Sequence, residues 1–360
     1  MYLKALSLKN FRNIPEASLS FHEKFNVFVG ANAQGKTNIL ESIHLLSIGR
    51  SFRLADYKGL ISWEKTEAFV RAWLELPIGE EERTIQLTVE KKKTFKNGKG
   101  VSPNQFQFMP IVLFAPEEIL LLKDSPQARR DYVDGLLIKL SAIYEEHLRD
   151  YKRALTQRNK LLKDELIPKE EKKKQMTLWE SPMVEHGSVL IKEREAWMNK
   201  LNGILNEYYK IIGHDAKSAQ FAYSNNVNLE EFSTVQEAKR EEELERKASL
   251  VGPHRDDFKA QLDTHPINAY GSQGEMRTFT LALKLSEIKL FEEVLNQSPL
   301  LLLDDVVSEL DEKRSAYFFS YLQSYTAQVF ATATALSLFP KDCLKEFRAW
   351  EIRQGKPFTF

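Results

Sequence analysis

Eight residues, GANAQGKT at 30–37, restrict the fold more than any other part of this 360-residue chain. They satisfy the phosphate-binding loop pattern G-x-x-x-x-G-K-[ST] without adjustment. FNVFV ahead of them reads as a strand and TNILESIHLLS behind them as a helix, which is the context such a loop requires. Glycines at both ends let the backbone of Gly30, Ala31, Asn32, Ala33, Gln34 and Gly35 wrap with its amides inward on phosphate oxygens, and the helix N-terminus adds its dipole. Lys36 is the candidate cation for the β and γ phosphates of a nucleotide such as ATP, and Thr37 the candidate hydroxyl ligand of Mg²⁺. The side chains of Asn32 and Gln34 line the loop as phosphate contacts, and Asn38 supports its geometry.

A phosphate loop needs an acidic partner for its metal. LLLLDD at 300–305 reads as a buried central strand ending in two carboxylates, at the strand end where open α/β sheets bind ligands. Asp304 is placed to hold Mg²⁺ and Asp305 to orient or polarise an attacking water. The competing reading is an acidic cap on the next helix, although that helix has its own start signals in Ser308 and Asp311. A third segment, YGSQGEMRT at 270–278, puts Ser272 and a polar turn directly before a helical run. Such a helix start can bind an anion. One nucleotide site already has its loop and its acids, so a second anion-binding turn is surplus unless it serves the nucleotide of another molecule.

Alternating apolar positions predict strands at 2–8, 17–21, 25–29, 68–76, 84–90 and 110–114, with one helix from Lys36 to about 47. Asn97 and Gly98 predict a tight hairpin turn in the basic segment EKKKTFKNGKGV. From Gln127 the apolar period changes to three and four residues, predicting two long amphipathic helices, of which one of about 35 residues would span roughly 50 Å. KEEKKKQ and Pro182 are assigned to their connection, and a charged helix to 229–247. Beyond Ser249, strands at 258–262, 300–303, 328–331 and 347–352 alternate with helices at 273–295 and 312–324. The fold expected is α/β, with one domain built from both ends of the chain, 1–125 and 248–360, and a helical insertion at 126–247.

Composition bounds the rest. Lys plus Arg and Asp plus Glu both number 51, so net charge neither supports nor excludes a polyanionic partner. The apolar runs fall well below the roughly 20 residues of a membrane helix. The start alternates like a strand and lacks a signal peptide's apolar core, and the single cysteine, Cys343, can form no internal disulfide. A cytoplasmic protein without a membrane is expected.

The order of phosphate loop, long insertion, S-x-G-E turn, apolar strand with paired acids and then SELD resembles the head domains of SMC-class, ABC-type ATPases. NFRN at 10–13, GRSFR at 49–53, FAPEE and RRDYVD within 114–134, GPHRDD at 252–257 and LLLDDVVSELD narrow the resemblance to the RecF family, over essentially the whole chain. The resemblance implies an ABC-type ATPase head of two lobes, with mixed sheets around the phosphate loop and an inserted helical arm. It implies an ATP-dependent homodimer in which Ser272, Gln273, Gly274 and Glu275 form a signature acting in trans on the partner's nucleotide, with Ser308, Glu309, Leu310 and Asp311 as the dimer-facing loop. It also implies sequence-independent binding of double-stranded DNA at gap junctions, RecR and RecO as partners, and a role in recombinase loading. An ABC transporter subunit and a nucleotide-binding adaptor with little turnover are the alternatives.

Three departures accompany the resemblance. Asp305 stands where many ABC-type ATPases carry glutamate, a difference that implies slow, DNA-stimulated hydrolysis. The usual switch histidine is replaced by VFATATALS, which offers Thr332 and Thr334, and Glu275 stands where glutamine is common. Arg12 is either a nucleotide contact, as a basic residue is at this place in related heads, or a surface arginine. Gln105 and Gln107 are nearby candidates for the glutamine that links nucleotide to arm. Lys91, Lys92, Lys93, Lys96 and Lys99 on the hairpin, with Arg50 and Arg53, are candidate DNA-backbone contacts or a solvated face. Arg129 and Arg130 open the first inserted helix, where the dipole disfavours them. An acidic partner, an ion pair across domains, or pairing with Asp131 or Asp134 accounts for them, and His254, Arg255 and Asp256 read as a salt-bridged corner, with coupling to the nucleotide site as the alternative.

Overall fold

The computed structural model describes residues 1–53, 56–77, 79–106, 110–213, 216–308 and 310–360. Packing groups them into two compact units, Met1–Glu118 with Phe291–Phe360, and Ile119–Leu290. Segment 248–290 therefore packs with the helices that precede it.

The first unit contains two six-stranded sheets. One is antiparallel, formed by β1 (Tyr2–Phe11), β2 (Ile14–Ser20), β4 (Glu67–Leu76), β5 (Gly79–Thr88), β6 (Lys92–Lys96) and β7 (Lys99–Gly100), in the order β2-β1-β4-β5-β6-β7. Its strands bury alternate residues, as Leu6 and Leu8 on β1 and Ala68, Val70, Ala72 and Leu74 on β4 illustrate. The expected β6 to β7 turn forms with Asn97 at φ 48° and Gly98 at φ 74°. The other sheet has the order β15-β14-β3-β13-β12-β8, from β3 (Phe25–Val29), β8 (Ile111–Phe114), β12 (Leu300–Leu303), β13 (Val329–Ala333), β14 (Phe347–Arg353) and β15 (Lys356–Thr359). All its pairings are parallel except the last hairpin, β14 with β15. Strands β3, β13, β12 and the edge strand β8 are buried along their length, and their sequences are correspondingly apolar. Helix α1 (Lys36–Ile48) joins this core through Ile39, Leu40, Ile43 and Leu46, α2 (Pro103–Phe106) contributes Phe106, and α10 (Glu312–Ser324) contributes Phe318, Phe319 and Leu322.

The second unit is mainly helical: α3 (Pro126–Leu140), α4 (Ala142–Lys163), α5 (Lys169–Gly213), α6 (Phe232–Ala238), α7 (Arg240–Arg246), α8 (Ile267–Tyr270) and α9 (Gln273–Leu295), the last as far as 290. A small sheet of β9 (Ala219–Ser224), β10 (Asp257–Leu262) and β11 (His265–Pro266) accompanies them in the order β11-β10-β9. No helix among the described residues is long and apolar enough to cross a membrane.

Three details differ from the sequence reading. The first long helix breaks at Ser141, whose hydroxyl accepts from Tyr144 N at 3.1 Å and caps α4. Segment 229–247 is a 3-10 turn at Leu229–Glu231 followed by two short helices meeting at Lys239. Most notably, KEEKKKQ and Pro182 lie inside α5, which runs 45 residues, or about 68 Å at 1.5 Å per residue. The connection is only 164–168. An internal proline costs about 3 kcal/mol, but Met176, Met183, Gly187 and Leu190 bury one face of α5 on both sides of it. Glu180 adds an ion pair with Arg158 of α4 at 3.1 Å, and Arg158 also meets Glu243 of α7 at 2.6 Å. Tertiary burial overrides the local breaker.

In the GPHRDD turn Asp256 is ion-paired, as expected, whereas His254 and Arg255 are hydrogen-bonded to Ser249 O. Arg194 of α5, 2% exposed, donates to Pro253 O at 2.7 Å, to Asp256 at 2.8 Å and to Asp134 at 2.8 Å. Arg129 forms a two-pronged pair with Asp257, both bonds 2.9 Å, rather than with Asp131 or Asp134, and Arg130 donates to Asp256 O at 2.6 Å.

Candidate nucleotide site

Within the first unit, β3 ends at the loop 30–37 and α1 begins at Lys36. Gly35 has φ +106°, a backbone that other residues rarely adopt, and a Cβ there would stand 2.7 Å from Asn13 Oδ1, so a substitution at the entry into the helix is strained and displaces the Asn13 side chain. Asn13 Oδ1 in turn accepts from Asn38 Nδ2 at 2.8 Å, which gives Asn38 its supporting role. The Lys36 ammonium folds back over the loop and donates to the carbonyls of Gly30 at 2.6 Å and Ala31 at 2.8 Å. Burial pulls its pKa below the lysine range, against the opposing pull of Asp305 and Asp304. Ala31, Asn32 and Ala33 are exposed, and Ala33 takes the left-handed backbone at φ 63°.

The paired acids stand beside this loop because β12 and β3 flank β13 in one parallel sheet. Thr37 Oγ1 donates to Asp304 Oδ1 at 2.9 Å. Thr332, on β13, donates to the same oxygen at 2.7 Å and accepts from Asp305 N at 2.9 Å. The structure therefore brings Lys36, Thr37, Asp304 and Asp305 together across 267 residues of sequence. Thr334, the other candidate in that segment, is exposed.

Two residues have partners that the sequence did not suggest. Gln34, assigned to phosphate, instead grips the β14 to β15 turn: its Oε1 accepts from Gln354 N at 2.6 Å and its carbonyl from Gly355 N at 2.9 Å. Arg12 is not a loose surface arginine. It makes a two-pronged pair with the fully buried Glu41, at 2.8 and 2.6 Å, and also donates to Gly59 O at 3.1 Å. A glutamate within the apolar run ILESIHLL was the available sequence signal for this partner. Gln328 gave no signal at all, yet its amide ties both sheets of the unit together through Leu3 N, Leu3 O and His22 O.

The signature residues lie in the second unit. Ser272 and Glu275 form a reciprocal cap on α9: the serine N and Oγ donate to Glu275 Oε2 at 2.7 and 2.8 Å, and Glu275 N donates back to Oγ at 3.2 Å. Lys217 pairs with the same carboxyl, and this bond with those from Ser272 holds it down at about 2. Ser272 and Gln273 are exposed, while Gly274 O accepts from Thr278. In the segment read from sequence as dimer-facing, Asp311 caps α10 by accepting from Arg314 N at 2.9 Å and Leu310 is half-buried. Glu309, the side chain of Ser308, and Gln107 lie outside the described residues. Gln105 accepts from the Ser102 N and hydroxyl at the start of α2.

The basic candidates divide by their contacts. Lys92 donates to Gly49 O and lies 5.1 Å from the Tyr57 ring centre, and Lys96 pairs with the buried Glu81. Lys91, Lys93, Lys99, Arg50 and Arg53 are exposed.

Comparison with known proteins places this geometry in context. The family model described as the RecF/RecN/SMC N terminal domain matches residues 2–342. The DNA replication and repair protein RecF of Clostridium tetani (strain Massachusetts / E88) is 33% identical over 369 residues, covering 99% of both chains. A solved structure of the recombination mediator protein RecF with ATP, in the RecFOR pathway, is 32% identical, with a TM-score of 0.89 over 100% of this chain and 97% of that one. The Smc head domain of Pyrococcus furiosus, solved with an extended coiled coil, is similar in fold alone, at 16% identity and a TM-score of 0.57.

Proposed function

The chain belongs to the RecF family, within the RecF/RecN/SMC N-terminal group, and from that premise we propose that it is an ATP-dependent, dimerising DNA-binding ATPase of recombinational repair and replication maintenance. Its fold is an ABC-type ATPase head. The assignment divides it into a head, 1–125 with 248–360, and a helical arm, 126–247. The solved relative carries ATP, and ATP is the nucleotide assigned here.

The observation that carries the reading is the convergence of Thr37 Oγ1 and Asp304 Oδ1, 2.9 Å apart, beside a lysine already folded over the loop. These residues fit a nucleotide with Mg²⁺. The described residues contain no group of three or more His, Cys, Asp or Glu able to hold a metal, and Mg²⁺ paired with nucleotide phosphates needs only one or two protein ligands. Mg²⁺ would be held by Thr37 and Asp304, and bound there it would neutralise charge on the β and γ phosphates. Lys36 leaves the Gly30 and Ala31 carbonyls for phosphate, the amides of the loop orient it, and Asp305 accepts a hydrogen bond from the attacking water. Ser272 of a second copy closes the site in trans, which requires its hydroxyl to leave the cap with Glu275. Hydrolysis then releases the dimer. The DNA assignment is sequence-independent binding to the duplex beside single-strand gaps, with RecR and RecO as partners in recombinase loading and the cytoplasm as the location.

Sedimentation with ATP, Mg²⁺ and duplex DNA, together with phosphate release, tests the proposal. Wild type should dimerise and turn over slowly, faster with DNA. Lys36→Met should lose nucleotide binding, Ser272→Arg should bind nucleotide as a monomer, and Asp305→Asn should dimerise without turnover. A wild type that stays monomeric at micromolar concentration under all these conditions would refute the composite site.

A further inference from the structure

Thr332, offered by the sequence only at the place of the missing switch histidine, has its hydroxyl bonded to the Asp304 carboxylate and to the Asp305 backbone N–H. Its roles are fixed by chemistry. A carboxylate oxygen can only accept, so the single hydroxyl proton goes to Asp304 Oδ1 at 2.7 Å, and a backbone N–H can only donate, so Asp305 N occupies the hydroxyl lone pair at 2.9 Å. Thr332 is 1% exposed and Asp304 5% exposed, so neither bond is replaced by water at no cost.

Asp305 has φ +50°, the left-handed region. A non-glycine residue held there costs on the order of 1–3 kcal/mol and persists only where its surroundings fix it. The Thr332 hydroxyl supplies part of that constraint, and does so from a strand in the buried centre of the sheet. The left-handed turn takes the Asp305 backbone out of the strand that carries Asp304, while the shared hydroxyl ties that backbone to the Asp304 carboxylate.

We infer that Thr332 is a positioning residue that couples the metal-holding carboxylate of Asp304 to the placement of the water-orienting Asp305. The inference rests on the ATPase reading above. Thr37 is bonded to the same Asp304 oxygen from the loop side. A cation drawn to Thr37 and Asp304 therefore acts on a carboxylate that is linked, through the Thr332 hydroxyl, to the Asp305 backbone. Thr332 touches neither nucleotide nor water in this scheme, and its effect is on geometry alone.

The test compares Thr332→Val, which keeps shape but has no hydroxyl, with Thr332→Ser, which keeps the hydroxyl. Three quantities are read: steady-state ATP turnover, affinity for a fluorescent ATP analogue without Mg²⁺, and the Mg²⁺ concentration that half-saturates binding of that analogue. The valine variant should lose about 10²-fold in kcat, the scale set by a misplacement of about 1 Å. Its metal-free nucleotide affinity should stay within about twofold, because the loop contacts are untouched. Its Mg²⁺ half-saturation should rise, and serine should restore both kcat and Mg²⁺ dependence. Valine with wild-type kcat and Mg²⁺ dependence, or serine as impaired as valine, overturns the inference. If valine does not fold, Thr332→Ala is read against serine in the same way. Failure of the ATPase reading is distinguishable: wild type would then bind no nucleotide, or bind it without turnover, whereas failure of this inference leaves wild-type binding and turnover intact.

Discussion

Gly355→Ala, measured against Gly98→Ala, isolates the contact that braces the phosphate loop. Both glycines sit in hairpin turns at φ +74°, so an alanine at either position meets the same left-handed backbone. That strain is worth about 1–2 kcal/mol. The surroundings differ completely: a Cβ at 98 has nothing within 4 Å, whereas one at 355 would stand 2.2 Å from the carbonyl oxygen of Asn13 and 3.0 Å from its carbon. Backbone cannot swing aside as a flexible side chain would, and forcing such an overlap adds about 1–3 kcal/mol. The displaced turn also strains the bonds from Gln354 N and Gly355 N to Gln34, at 2.6 and 2.9 Å, so the cost reaches the nucleotide site. For a unit of this size each kcal/mol lowers Tm by about 2–4 °C. Gly98→Ala should therefore lose about 2–8 °C and Gly355→Ala about 4–20 °C, with the second also binding the ATP analogue more weakly. Differential scanning fluorimetry and fluorescence titration read the two effects. Equal Tm losses in the two variants, or a destabilised Gly355→Ala with unchanged nucleotide affinity, would refute the reasoning.

Two further expectations concern pH and DNA. His254 Nε2 must donate to Ser249 O at 3.0 Å, so Nδ1 accepts from Tyr151 at 2.6 Å. Burial, outweighing the Ser249 bond, pulls its pKa from 6.5 down to about 4. Between those values the unfolded chain binds a proton that the folded chain refuses, so stability is full above 6.5 and declines as pH falls toward 4. The loss is on the order of 3 kcal/mol. His254→Gln should flatten urea-unfolding stability between pH 7 and 5 relative to wild type, and an unchanged slope would sink the assignment. For DNA, Lys91, Lys93 and Lys99 are the exposed hairpin cations, whereas Lys92 and Lys96 are engaged with Gly49 O and Glu81. Replacing the first three with glutamine should flatten the logarithmic salt dependence of duplex binding by about 0.9 for each phosphate no longer neutralised. An unaltered slope would remove the hairpin from the DNA track.

Much of the molecule was legible because its signals are local. The strand at 25–29, the helices at 273–295 and 312–324, and the strand at 300–303 fall within the bounds that apolar period and caps implied. The continuous apolar run at 300–303 marked one parallel core strand, alternation marked the strands of the first 125 residues, and Asn97 with Gly98 marked the β6 to β7 hairpin. The loop GANAQGKT and the acids Asp304 and Asp305 were found from residue type and spacing. The α5 proline was misjudged for the opposite reason, since the burial and ion pairs that keep Pro182 in a helix come from α4, α6 and α7, and none of them is visible in a sequence window.

The sequence by itself determined which chemical groups this protein has for a nucleotide, and the strand, loop and helix order that presents them. Only the tertiary structure decided which groups act on one another. Thr332 bonds the Asp304 carboxylate and the Asp305 backbone N–H, Glu41 engages Arg12, and Gln354 and Gly355 hold Gln34. The physical reason is range. Backbone period and turn chemistry are set by residues a few positions apart, whereas a buried hydrogen bond is set by strand order, which links residues 37, 304 and 332 through bonds of 2.9 and 2.7 Å.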